Sequence, residues 1–166
     1  MRKRSQYLAD RLEHGARELI AFASGLTPAQ WSTRLPRDGR TVGTIVHHVA
    51  SVYPIEVSLA QKVAAGDAIV GVYPSTIHDM NAGHAAENPL PAKTATLELL
   101  ARNSAAAASA IREMTDADLD RAQPASLYSD APLTAQFILE DHAVRHSYHH
   151  LAGIRRAVES LKLVAV

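Results

Sequence analysis

Residues 142–150 read His142-Ala-Val-Arg-His-Ser-Tyr-His-His150, which puts four of the chain's nine histidines within little more than two helical turns. Val144, Leu151, Ile154, Val158 and Leu161 recur through and beyond this stretch at three-to-four spacing, so it reads as an amphipathic helix. Side chains four apart on a helix stand one above the other, with Cβ atoms about 5–6 Å apart. His146 and His150 can therefore reach one metal ion, and any further ligand must come from another element.

A second cluster, His47-His48, lies in Thr41-Val-Gly-Thr-Ile-Val-His-His-Val-Ala50. Helical phase chooses between the two. Ile45, Val49, Val52, Leu59 and Val63 define one apolar stripe; at about 100° per residue His48 falls roughly 60° from its centre and His47 roughly 160° away. His48 points inward and His47 outward. The same arithmetic on the last helix ranks His150 nearest the core and His146 next, with His142 and His149 far round. Two histidines at i, i+4 on an exposed face are ordinarily solvated, and a lone inward one is ordinarily a hydrogen-bonded core residue. Three inward imidazoles from two helices bring ligation level with those readings, because burying them without partners is costly.

A chain of 166 residues is one domain's worth, expected to span 1–166 without subdivision. Seventeen basic residues balance seventeen acidic ones, which leaves no basic field of the kind nucleic-acid binding needs. Met1-Arg-Lys-Arg4 resembles the head of a signal peptide, but Ser5 to His14 carries charges where an apolar region would be required. The expectation is a cytoplasmic protein. No apolar run reaches the roughly eighteen residues that span a bilayer. With no cysteine there is neither a disulfide framework nor a protein thiolate, so any nucleophilic sulfur must arrive with a substrate.

Periodicity predicts a first helix from about Ser5 to Ser24, ended by Gly25. Thr27-Pro28 caps a short helical turn from Pro28 to about Leu35, with Trp31 folding back onto the bundle. Residues 36–39 read as loop. Thr41 caps the second helix, which runs to about Ala65 and stops at Gly66. Residues 67–92 are punctuated by Gly71, Pro74, Pro89 and Pro91, with one short helix over Ile77–Glu87; this connection is the expected wall or lid of a site. The third long helix runs from about Pro91 to Met114 and is alanine-rich, which permits close helix contact. Thr115 caps another short turn, 124–132 is loop, and the final helix is capped near Thr134. No useful strand alternation is present. The predicted fold is all-α: a four-helix bundle with short extra helices in the connections.

Thr41–Ala50 on the second helix and His146-Ser-Tyr-His-His-Leu-Ala-Gly-Ile154 on the last resemble the DinB/YfiT superfamily of small bacterial helix bundles, over the whole chain. The likeness includes a tryptophan before the second helix (Trp31), an inward histidine on it (His48) and an H-x3-H pair on the fourth (His146 and His150). It implies a four-helix bundle with a metal site in a cleft near one end, often as a homodimer. Some members transfer the sulfur of a low-molecular-weight thiol such as bacillithiol or mycothiol to electrophiles; many others are regarded as metal-dependent hydrolases. This chain departs from the thiol transferases in reading Val49-Ala-Ser-Val-Tyr53 after its histidine pair, where those carry polar residues. It is also expected to lack the additional C-terminal domain of mycothiol-dependent maleylpyruvate isomerases. Ile77-His-Asp-Met-Asn-Ala-Gly-His84 resembles a D-x-x-N-like stretch of some members.

Three neutral imidazoles leave an ion its full charge and at least one open position, as a catalytic site requires. Imidazole suits zinc, nickel and other late first-row divalent ions, zinc or nickel being the expected occupants. The open position takes water, for hydrolysis, or a small-molecule thiol, for transfer to an electrophile. The alternative is a stress-related protein that binds a metal and a small ligand without turnover. Glu56 falls within about 20° of the second helix's apolar axis, as an orienting carboxylate or general base, or else as a helix-end glutamate turned to solvent. Tyr53 is a further catalytic candidate, with core packing as its alternative. Asp79, Asn81 and His84 are candidates to line the cleft. His142, four residues before His146, is a candidate to join the cluster but by phase is expected at the surface. Asp141 is a candidate acceptor for a neighbouring imidazole, with solvent as its default; His14 and His78 show no partner in sequence.

Overall fold

Thr41 holds an extended backbone (φ −70°, ψ 157°) and its Oγ1 accepts from the Thr44 amide, which starts the helix Val42–Ala65. Gly66 ends it at φ +101°, a left-handed conformation that glycine adopts without the Cβ penalty. Fifteen of that helix's 24 residues are buried, so it is the central element. The structure, a computed structural model, describes residues 3–36 and 38–164, with side chains through residue 160. Met1 and Arg2 of the basic head, and the side chain of Leu161 in the predicted stripe, lie outside the described residues.

In chain order the helices are α1 (Arg4–Ser24), α2 (Pro28–Trp31), α3 (Val42–Ala65), α4 (Pro74–Glu87), α5 (Lys93–Arg112) and α6 (Asp116–Asp120). A short hairpin of β1 (Ala122–Ala125) and β2 (Ala131–Thr134) follows, then α7 (Ala135–Ile138), a π-helical turn over Leu139–Val144, and α8 (Arg145–Val164). The long helices α1, α3, α5 and α8 form the four-helix bundle around one core. No described helix is long and apolar enough to cross a membrane.

Local chemistry explains how the bundle closes. Pro54, inside α3, has no N–H to offer the Ala50 carbonyl. The Asn103 side-chain amide of α5 donates to that oxygen instead, at 2.8 Å, so the proline becomes a bond between helices. Ser104, Ala107 and Ala108 are buried on the same helix, where small side chains allow close approach. Trp31 is buried against α3 directly over Gly43: a Cβ there would lie 2.5 Å from the indole nitrogen. The indole N–H donates to Pro91 O at 2.9 Å, which ties α2 to the start of α5.

Three local features differ from the sequence reading. The helix in the long connection starts at Pro74 rather than Ile77, proline occupying its first position. The short helix after Thr27 stops at Trp31, because Thr33 and Val42 turn toward each other as the chain enters α3. The segment read as loop over 124–132 contains the hairpin, in which Pro124 pairs opposite Pro132 and Ser129 and Asp130 take left-handed φ values of 56° and 59°. The four-residue strands Ala-Gln-Pro-Ala and Ala-Pro-Leu-Thr are too short and too rich in alanine and proline to show an alternation, so periodicity does not reveal them.

Candidate metal centre

Helix α3 brings in His48, 5% exposed, while α8 delivers His146 and His150 on adjacent turns. One ring nitrogen from each lies within 4.8 Å of the other two. Nε2 of His48 and Nε2 of His146 are 3.2 Å apart. Two nitrogens on a tetrahedral zinc, at Zn–N of about 2.0–2.1 Å, stand about 3.3 Å apart, so the arrangement fits such an ion. The structure thus brings the three predicted histidines to one point.

Glu56, two turns further along α3 and 6% exposed, places Oε1 2.5 Å from His146 Nδ1. A carboxylate only accepts, so Nδ1–H donates and the Nε2 lone pair is left facing His48. The carboxylate thereby fixes both tautomer and ring orientation. Glu56 Oε2 is buried with no hydrogen-bond partner among the described residues. Desolvation, then repulsion from His146, pushes His48 down to about 3 and His150 down to about 2. Both imidazoles are neutral donors at physiological pH.

His47 is half-buried rather than fully outward, and turns away from the trio to His84 of α4, Nδ1 to Nε2 at 2.8 Å. The His84 ring lies 5.5 Å from that of His48, so this cleft candidate does flank the centre. Asn81 is half-buried on the same helix, whereas His78 and Asp79 are exposed. Tyr53 is fully buried and its hydroxyl bonds Ser147 Oγ at 2.6 Å, which places it in the core rather than on the cleft. His14 does find a partner, Tyr148 Oη at 2.9 Å. His149 is exposed, edge-on to His150.

His142 and Asp141 depart from the surface positions expected of them. Tyr128 Oη donates to Asp141 Oδ2 and lies 3.0 Å from His142 Nε2, with both residues half-buried. Burial, the largest cause, pushes the His142 pKa down. The π-helical turn over Leu139–Val144 is the physical reason: its wider turn breaks the 100° step assumed when phase was carried back from α8 to His142.

Beside His150 the surface opens into a groove of about 510 Å³, walled by Leu35, Pro36 and Asp38 on one side and by Gly153, Arg156 and Ala157 of α8 on the other. The 67–92 connection, expected as a wall or lid, supplies α4 and His84 at another flank of the centre. Asp38, unnoticed in the sequence, is clamped by Arg40, with Nε to Oδ1 at 2.5 Å and Nη2 to Oδ2 at 2.7 Å. Those bonds, first among the causes, hold its carboxyl below the usual range. An Asp-x-Arg pair just before the cap Thr41 was the available signal.

No curated protein matches the sequence. Among solved structures, YfiT from Bacillus subtilis, described as a probable metal-dependent hydrolase with an unusual four-helix bundle topology, superposes with a TM-score of 0.77 at 19% identity. The match covers 95% of this chain and 87% of that one, and establishes the shared fold. The sequence profile of the DinB superfamily matches residues 11–154, and with that match the chain belongs to the DinB superfamily.

Proposed function

We propose that this protein binds a divalent metal ion, zinc or nickel, through His48, His146 and His150, and is a metal-dependent hydrolase or transferase acting on a small electrophile. The observation that carries the reading is the convergence of three imidazoles from two helices, one of them oriented by a buried carboxylate. A divalent ion held there supplies Lewis acidity, lowering the pKa of a coordinating water or low-molecular-weight thiol. The YfiT description, a probable metal-dependent hydrolase, supports the same class.

The chain's own residues prepare that chemistry. Burial keeps His48 and His150 unprotonated, so no proton must leave them for a cation to bind. Glu56 holds the proton of His146 on Nδ1, away from the cluster. The groove beside His150 gives a small substrate an approach to the centre. With no cysteine in the chain, the nucleophile is water or a substrate thiol.

Elemental analysis of chelator-stripped protein reloaded with zinc or nickel tests the binding, with one ion per chain expected. Loaded wild type and His150→Ala would then be assayed with esters and amides, and with small thiols paired with electrophiles. Turnover confined to the loaded wild type supports the enzyme reading. Equal inertness of both proteins on every panel leaves a metal-binding protein without turnover.

A further inference from the structure

The groove beside His150 is charged unevenly. His149, His150, Gly153, Arg156, Ala157 and Ser160 line it from one face of α8, and Leu35 and Pro36 on the loop side join Gly153 and Ala157 as its apolar part. Asp38 also lines it, but its charge is met by the bidentate Arg40. Arg156 has no such partner: among the described residues it makes no hydrogen bond or ion pair. Its neighbour Arg155 is spent on Glu18 at 3.6 Å and on the Phe22 ring. Among the described residues, one guanidinium without a hydrogen-bonding or ionic partner thus lines a partly apolar groove that reaches His150.

We propose that this groove is the binding site for the substrate's non-reacting part, a short apolar body ending in a carboxylate that Arg156 receives. The proposal rests on the reading of His150 as a metal ligand and adds the class of substrate. A planar guanidinium takes a carboxylate through two parallel N–H bonds, a geometry that a lone ammonium lacks. Arg156 follows His150 by six residues, so the two are separated by roughly 9 Å along the helix axis. That span suits a molecule of about the length of phenylpropionate. Gly153 lies between them, and the absence of its side chain leaves the floor open: even a Cβ there would meet only Leu35 Cδ2, at 3.7 Å.

The test uses phenylacetate and 3-phenylpropionate against the corresponding amides, titrated calorimetrically into zinc-loaded and metal-free protein. The proteins are wild type, Arg156→Gln and Arg156→Lys, with zinc content measured on each sample. The acids should bind wild type about tenfold more tightly than the amides, as a charge-assisted pair implies. The preference should vanish in Arg156→Gln, persist in part in Arg156→Lys and remain in the metal-free protein. It is overturned if no probe binds, if acids and amides bind wild type equally, or if the preference survives Arg156→Gln. Failure of the metal reading would appear separately, as wild type that retains no zinc while the acid preference stands.

Discussion

Helices α3 and α4 both bring a histidine to the same centre, yet they are built on opposite principles. In α3 fifteen residues are buried and Pro54 itself is turned into a bond to α5, so His48 and Glu56 stand on a rigid post. In α4 no residue is buried. It is fastened to α3 by His84 on His47 and by hydroxyls of Thr41 and Thr44 on the carbonyls of Asn88 and Pro89 at its end. The difference teaches that the proposed ligand set is preorganised by packing, whereas the wall beside it is held by a few polar bonds. A centre that must keep its donor geometry while admitting different molecules calls for that division.

The largest effect should come from separating the inner and outer members of the α3 pair. His48→Ala is expected to weaken zinc binding by on the order of 100-fold or more, because it removes a ligand and its neutral lone pair. His47→Ala, on the far side, should leave affinity within a few-fold. Competition with a chromophoric chelator measures both, and similar losses would break the distinction. Glu56→Gln comes next. Gln keeps the volume but can present an amide N–H to His146 Nδ1, so the ring loses its fixed tautomer; zinc affinity should fall about 10–100-fold.

Gly43→Ala probes the post without touching the site. The added Cβ would meet the indole nitrogen at 2.5 Å, which forces Trp31 off both its packing and Pro91 O. A loss of about 1–3 kcal/mol of unfolding free energy, measured by denaturant titration, is expected, the usual cost of overpacking. Acid titration probes the same post through charge. The folded-state pKa values of His48 and His150, about 3 and about 2, lie below the unfolded value near 6.5. The unfolded chain therefore binds protons first as pH falls, so the stability of metal-free protein should be full above about pH 6.5 and drain away below it toward pH 3. Bound zinc, by occupying the lone pairs, should shift the onset to lower pH. A thermal midpoint flat between pH 7 and 4 would contradict the burial of these imidazoles.

The bundle and the trio were legible in the sequence because both rest on the same periodicity. Apolar stripes at three-to-four spacing fixed which way α3 and α8 turn, and His48, His146 and His150 are carried by that turn. The 100° step failed at His142, where the π turn interposes. It placed Glu56 near the apolar axis without naming a partner; only the position of His146 on a different helix, 2.5 Å away, decides against a carboxylate bent to solvent. The Leu35–Asp38 wall of the groove was invisible for another reason: a loop has no period, and its place depends on where α2 and α3 pack. The hairpin escaped because four-residue strands rich in alanine and proline are too short to show a pattern of their own.

The smallest effect expected is also the sharpest on the comparison. His84→Ala removes the imidazole that ties α4 to His47 but takes nothing from the core, since no residue of α4 is buried. Global stability should change by no more than about 0.5 kcal/mol, as for surface positions generally. Local opening is another matter: with one of its few fastenings gone, α4 should exchange its amide hydrogens several-fold faster, because exchange there reports detachment rather than unfolding. The amides of α3 around Val49 to Val57 should exchange as in wild type. Hydrogen exchange read by mass spectrometry on peptides from the two helices gives both rates in one experiment. If α3 and α4 accelerate together, they open as one cooperative unit, and the division between rigid post and polar-bonded wall is wrong.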